Sequence, residues 1–123
     1  MESKPERFGG MITREQMEDA LLREEIVADV ARQLEKDFGM WGMAITFSHD
    51  ISNAYEELYG QVFHHITELS VRDTSILKNL LYQIDISAAK MLRQPINGTV
   101  EEELSHKIIE RELQKVLLRR FYK

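Results

Sequence analysis

The chain has 123 residues, a net charge of −5, 43% hydrophobic residues and no cysteine. This length fits one domain with an ordinary core, and the acidic balance weighs against sequence-independent nucleic-acid binding, which needs clustered cations. Without cysteine there are no disulfides and no thiolate sites, which suits the cytoplasm, where we expect the protein to work. The polar start of the chain and its short apolar runs predict neither a secretory signal nor a membrane span.

The first predicted helix follows a flexible lead-in at residues 1–12 and opens a single α-helical domain over residues 13–123. Thr13 begins a capping box, the helix is expected to run to Phe38, and Gly39 lies where a C-cap glycine would end it. The apolar residues fall into two stripes, and a helix with two stripes usually has two neighbours. The smaller stripe consists of Leu22, Ile26 and Val30.

Residues 39–48 form an apolar connection with two glycines and the single tryptophan, Trp41. The segment is too apolar for a solvated loop and too short for a helix, so we expect it to fold back over one end of the core. A short extended piece at residues 44–47 is also compatible, although a lone strand has no partner with which to pair.

The second helix has the clearest pattern and is expected to start near Ser48 or Asp50 and to end near Leu69. Apolar residues recur every three or four positions for about five turns, which predicts one buried face. We therefore expect this helix to be the internal one. The repeating residues are Ile51, Ala54, Tyr55, Leu58, Tyr59, Val62, Phe63, Ile66 and Leu69.

The third helix is predicted from a cap at Asp73 to about Arg93, and the short turn before it makes it antiparallel to helix two. A break near Asp85 is the alternative, because Asp and Ser favour caps and turns over helix interiors. Tyr82 and Ile86 lie off the main apolar stripe and form a minor patch.

The fourth helix begins with a capping box of Thr99 and Glu102 and is expected to run to the C-terminus. Glutamates in its first turn and basic residues in its last turn match the helix dipole. Its apolar residues cover a wide arc, more than one neighbour requires. The four amphipathic helices together predict an all-α, four-helix bundle-like single domain with an apolar connection between helices one and two.

Two segments, LLYQIDIS at 80–87 and IIERELQKV at 108–116, resemble a group of small helical bacterial proteins of uncharacterised activity. The resemblance covers helices three and four. It implies a helical fold in a bacterial, cytoplasmic setting, brings no activity with it, and implies a break near Asp85.

A small metal- or ligand-binding bundle is one alternative function. Glu103 and His106 form a Glu-x-x-His motif, but carboxylate-bridged bundles use two such motifs and further glutamates. His65 borders the apolar stripe of helix two, with Glu68 one turn away. Solvated or rim Glu–His pairs are the simpler interpretation, so no metal, cofactor or catalytic residue is predicted.

Enzymatic motifs are not recognisable elsewhere in the chain. It contains no nucleophile elbow, phosphate loop or dinucleotide fingerprint, so we do not expect an enzyme. A nucleic-acid-associated regulator that uses the basic C-terminal tail, Lys115 to Lys123, is a second alternative. Complementing the helix dipole is the simpler role for those cations.

The preferred hypothesis is a protein-interaction or structural module that forms a homodimer, or binds another protein, through surplus apolar helix faces. No membrane partner is expected, and nucleic acid is disfavoured. The predicted interface residues are Leu22, Ile26, Val30, Trp41, Tyr82 and Ile86.

Overall fold

The computed structural model describes residues 23–86 and 98–121, together with residues 15, 19 and 20. Over the two long ranges the chain forms four α-helices and no strand, which confirms the predicted all-α, bundle-like fold. The predicted lead-in at residues 1–12 lies outside the described residues. The elements are α1 (Glu24–Gly39), a short 3-10 helix (Ile51–Asn53), α2 (Ala54–Arg72), α3 (Thr74–Ile84) and α4 (Val100–Phe121).

The first helix is not continuous from Thr13 as predicted, because the chain bends at Arg23. Arg23 has an extended backbone with φ −96° and ψ 119°, and its carbonyl accepts hydrogen bonds from the N–H groups of Ile26 and Val27. It is therefore the N-cap of α1, whose first turn carries two glutamates. Negative charge in that position is favoured by the helix dipole.

The two apolar stripes predicted for α1 are one broad buried face. At about 100° per residue, Ile26, Val30 and Leu34 lie beside Val27 within an arc of about 100°. Ile26 is 1% exposed and Val30 is 0% exposed. The expectation that these two residues face a neighbour outside the core is wrong, and Leu22 lies outside the described residues.

The connection between α1 and α2 is an extended strap along the side of α2, not a cover over one end of the core. The Thr46 N–H donates to Gln61 Oε1 at 2.8 Å, and Gln61 Nε2 donates back to the Thr46 carbonyl at 2.7 Å. One turn earlier in α2, Glu57 accepts from the N–H and the hydroxyl of Ser48 at 2.7 and 2.8 Å. Helix side chains thus replace the strand partner that the extended segment lacks.

The strap and α2 have matching repeats. Two extended residues span roughly 6.6 Å and four helical residues about 6.0 Å, so every second strap residue meets every fourth residue of α2. The third contact in this series joins His65 Nε2 to the Ala44 carbonyl at 2.8 Å. Between the contacts, Ile45 is buried at 3% exposure. The left-handed glycine of the connection is Gly42, with φ 79°, while Gly39 is the last residue of α1 and not its C-cap.

Helix α2 extends past Leu69 to Arg72, and the single residue Asp73 joins it to α3. The predicted cap at Asp73 is confirmed, since its Oδ1 accepts from the Ile76 N–H at 3.1 Å. So short a connection brings α2 and α3 together as packed neighbours.

Helix α3 ends at Ile84, so the prediction of one helix to Arg93 is wrong. Asp85 has a left-handed backbone with φ 76°, and the Ile86 N–H bonds to the Leu81 carbonyl at 2.8 Å. This is a Schellman closure, which Asp tolerates better than most residues because its short polar side chain permits left-handed geometry. It turns Ile86 into the core, where it is 6% exposed, and the expectation of Ile86 at an interface is therefore wrong.

Helix α4, and not α2, is the most enclosed helix, since it packs against α1, α2 and α3. Its capping box is confirmed by bonds of 2.8 Å from the Thr99 N–H to Glu102 Oε1 and 3.1 Å from the Glu102 N–H to Thr99 Oγ1. The wide apolar arc is covered by helices of the same chain and is not surplus. No helix within the described ranges is long and apolar enough to cross a membrane.

Candidate functional site

The predicted interface residues do not form one surface. Ile26, Val30 and Ile86 are core residues, whereas Trp41 is half-buried and Tyr82 is 85% exposed. The part of the predicted interface that remains accessible therefore lies where the end of α1 meets α3.

The residues of the alternative metal site are not brought together. His106 Nδ1 lies 3.0 Å from the Tyr55 hydroxyl, while the His65 ring binds the strap. Tyr55 and His65 are separated by ten residues on the same helix, or about 15 Å along its axis. In the part of the chain that the structure describes, no group of three or more His, Cys, Asp or Glu side chains could hold a metal ion.

Glu68 also lies apart from a common site. Its carboxylate is 4.0 Å from His64 Nε2 and 3.7 Å from Arg72 Nη1, and all three side chains are largely exposed. Such pairs on a helix surface contribute about 0.3–0.5 kcal/mol. Glu103 precedes His106 by one turn on α4, far from Glu68 near the other end of α2.

Three cations of the C-terminal tail, Lys115, Arg119 and Arg120, have partners in the bundle, and Lys123 lies outside the described residues. Arg120 Nη2 lies 2.7 Å from Asp29 Oδ2 of α1, and Arg119 Nη1 donates to Gln33 Oε1 of α1 at 3.2 Å. Lys115 lies against a carboxyl group of α4 itself. These contacts fasten α4 to α1 and leave less positive charge for phosphates than the tail sequence indicates.

The chemically unusual group of this fold is a pair of buried acids at the junction of α1, α3 and α4. Asp37 of α1 is 5% exposed and Glu112 of α4 is 0% exposed, and their carboxyl groups lie within hydrogen-bonding reach of each other. Lys115 Nζ is 3.1 Å from Glu112 Oε1, an ion-pair distance. That contact lacks hydrogen-bonding geometry, and neither Glu112 oxygen accepts a hydrogen bond from any described residue.

Amide groups surround Asp37 with hydrogen-bond donors. Gln83 Nε2 of α3 donates to Asp37 Oδ1 at 2.9 Å and to its main-chain carbonyl at 3.2 Å, and Gln33 Nε2 donates to Oδ2 at 3.3 Å. The indole Nε1 of Trp41 donates to Gln83 Oε1 at 3.0 Å, which fixes the orientation of that amide. Apart from the Glu112 carboxyl group, the groups that face the Asp37 carboxylate are N–H donors. The site therefore stabilises a negative charge on Asp37 and is unsuited to a hard cation, which needs several oxygen ligands.

Charge counting indicates that the two acids hold one proton. The Lys115 ammonium can offset one carboxylate, so a second buried carboxylate would lack compensation. Burial and the adjacent Asp37 raise the pKa of Glu112 to about 9. Burial by itself would raise the pKa of Asp37, but hydrogen bonds from Glu112, Gln83 and Gln33 outweigh it, and this pKa is lowered. At neutral pH, Glu112 is therefore a neutral acid that donates to an ionised Asp37.

The acid pair was not among the sequence predictions, although a signal for it exists. Asp37 lies three turns after Ile26, on the apolar face of α1. Glu112 lies one turn after Ile108 and one turn before Val116, in the middle of the apolar arc of α4. A carboxylate at the centre of an apolar arc is rarely left buried and unpaired, so each acid indicates a polar partner across the core. The partner itself is not readable from either helix alone.

Comparison of the chain with family models, with curated proteins and with solved structures finds no match.

Proposed function

We propose that the protein is a small interaction module that associates with a second copy of itself through the Trp41 face, formed by Met40, Trp41 and Tyr82. The observation that carries the proposal is Tyr82, a large aromatic side chain of α3 that is 85% exposed. A cytoplasmic, bacterial setting is part of the proposal, supported by the cysteine-free composition and the resemblance of helices three and four. The proposal includes no enzymatic step.

The geometry of the Trp41 face supports this use. Met40 is 65% exposed, and Met40 and Tyr82 are the sequence neighbours of Trp41 and Gln83, whose side chains are hydrogen-bonded at 3.0 Å. The two exposed residues therefore flank the same junction between the end of α1 and α3.

The chemistry of these side chains also favours an interface. Tyr, Trp and Met are enriched in interfaces, and Tyr and Trp provide many of the residues that dominate binding energy. A second copy is the partner we favour, because an uncharged apolar patch can meet itself across a two-fold axis without repulsion between like charges.

Sedimentation velocity over a micromolar range of concentrations tests the proposal. We expect the wild-type chain to sediment as a dimer at the higher concentrations and Tyr82→Glu to sediment as a folded monomer, because the new charge would be desolvated at the interface. Val71→Glu is the matched control, since Val71 is 82% exposed at the end of α2, outside the Trp41 face.

Two results would contradict the proposal. The first is a wild-type chain that stays monomeric throughout the range. The second is equal dissociation by Tyr82→Glu and Val71→Glu, which would mean that added charge and not the Trp41 face controls association. Circular dichroism checks that both variants keep the helix content of the wild type.

A further inference from the structure

We propose that the proton shared by Asp37 and Glu112 is a latch that holds Trp41 in place, so that loss of this proton loosens the Trp41 face. The consequence for association rests on the proposed function. The effect on Trp41 itself does not, because it follows from contacts within one copy of the chain.

A chain of hydrogen bonds links the buried acids to the surface. Glu112 of α4 donates to Asp37 of α1, which lies within its reach. Asp37 Oδ1 accepts from Gln83 Nε2 of α3 at 2.9 Å, and Gln83 Oε1 accepts from Trp41 Nε1 at 3.0 Å. Three helices and the connection after α1 thus meet through one series of donors and acceptors, and each bond sets the orientation of the next group.

Removal of the proton would break this series at its first member. Glu112 would become a carboxylate with two oxygens that accept no hydrogen bond, facing the carboxylate of Asp37. Lys115 Nζ is 3.1 Å from Glu112 Oε1 but lacks hydrogen-bonding geometry there. The other donors at the pair are the amides of Gln83 and Gln33, which now serve Asp37. If the Gln83 amide turned toward Glu112, the indole of Trp41 would lose its acceptor.

The other charged groups around the pair cannot replace the proton. From α4, the side chain of Lys115 offers one positive charge and is 23% exposed. From the end of α4, Arg119 reaches the pair only through Gln33. From α3, Asp85 is paired with Arg111 at 2.8 Å.

Helix α2 contributes one titratable group near the pair. His65 lies beyond the ring of Phe38, with ring centroids 5.7 Å apart, and its Nε2 contacts the Ala44 carbonyl. It neither donates to nor accepts from the acid pair.

The single tryptophan makes the latch directly measurable, since Trp41 supplies all of the indole fluorescence. The emission maximum and acrylamide quenching of Trp41 would be followed between about pH 6 and about pH 10.5. The chains compared are the wild type, Glu112→Gln and the control Glu56→Gln, which removes an exposed carboxylate of α2.

We expect the wild type and Glu56→Gln to show a one-proton transition near pH 9, in which Trp41 becomes more accessible to the quencher. Glu112→Gln should lack the transition, because its amide N–H₂ can donate to Asp37 at every pH. Because all three chains contain the same tyrosines, any effect of tyrosine on tryptophan emission is common to them and cancels in the comparison.

The latch is overturned if Glu112→Gln shows the same transition as the wild type, or if the wild type shows none before it unfolds. A transition that coincides with loss of helical circular dichroism also counts against it, since that is global unfolding. Failure of the latch and failure of the proposed function are distinguishable. A missing fluorescence transition with a dimer at neutral pH removes only the latch, and an intact transition in a monomer removes only self-association.

Discussion

Glu112 illustrates how a single residue can make a core specific while lowering its stability. Its carboxyl group is 0% exposed, and burial of an acid usually costs more than its interactions return. Only the neutral form fits here, since Asp37 already receives the available amide donors. An apolar side chain could not donate to Asp37, so the acid pair favours one alignment of α1 against α4.

The acid pair predicts a stability that falls as the pH rises. The pKa of Glu112 is raised from 4.5 to about 9 in the folded chain. The stabilisation of the fold by protonated Glu112 is therefore fully present below about pH 4.5 and is lost as the pH rises through about 9. We expect the free energy of unfolding to decrease across this window by at most about 1.4 kcal/mol per pH unit, and Glu112→Gln to lack that decrease.

Urea denaturation at a series of pH values measures this slope, with Glu56→Gln again as the control. Asp37 changes the free energy of unfolding with pH in the opposite direction, because its pKa is lowered in the folded chain. It adds stability above its usual pKa of 3.8, and this stability is lost as the pH falls through the pKa of the folded state. The prediction fails if Glu112→Gln and the wild type have parallel stability profiles above pH 4.5.

At the scale of elements, the strap shows how side chains can hold an extended segment without a sheet. Its backbone is bound by Glu57, Gln61 and His65, which form one row on α2. Of residues 44–48 only Ile45 is buried, so hydrogen bonds carry much of the attachment. Segments with few buried contacts open at a lower free energy than the core that they cover.

Gln61→Ala is expected to release the middle of the strap. The Thr46 N–H would lose its acceptor, so its hydrogen-exchange protection should fall to the level of an exposed loop, while global stability drops by only about 1–2 kcal/mol. Hydrogen exchange measured by NMR tests this at single residues. Asn79→Ala, which removes an exposed amide from α3, is the control, and unchanged protection at Thr46 in Gln61→Ala would contradict the prediction.

At the scale of the whole molecule, α4 organises the bundle, since it contacts the three other helices. Its last turns are joined to α1 by the ion pair of Arg120 with Asp29, and its middle meets α1 and α3 at the acid pair. Every side chain from Leu104 to Leu117 is buried or half-buried. The stability of the chain therefore depends on apolar contacts that α4 shares with α1 and α2.

Ile26→Asp tests whether the broad face of α1 belongs to the core. Ile26 is 1% exposed, so an unpaired carboxylate there should lower the free energy of unfolding by more than about 3 kcal/mol. We expect loss of helical circular dichroism and a lower Tm, whereas Val71→Asp at an exposed position should change both little. A folded, monomeric Ile26→Asp beside a dimeric wild type would instead place Ile26 at an interface.

The features that the sequence determined by itself are those controlled within one or two turns of helix. The caps at Asp73 and at Thr99 with Glu102 were predictable, because a cap depends on a side chain and an N–H group three residues away. The helical period of α2 was equally readable, since it depends only on spacing. These local rules were sufficient for the fold class and for the four helices of residues 23–86 and 98–121.

Only the tertiary structure decided which faces cover one another. The sequence predicted surplus apolar surface at Ile26, Val30 and Ile86. Periodicity shows that a helix face is apolar, but it does not show which element packs against that face. The strap along α2 and the series from Glu112 to Trp41 join residues far apart in the chain, so no local spacing encodes them. A buried acid such as Asp37 is identifiable on its own helix, but its partner is set by the packing of α1, α3 and α4, and that packing maximises burial over the whole chain.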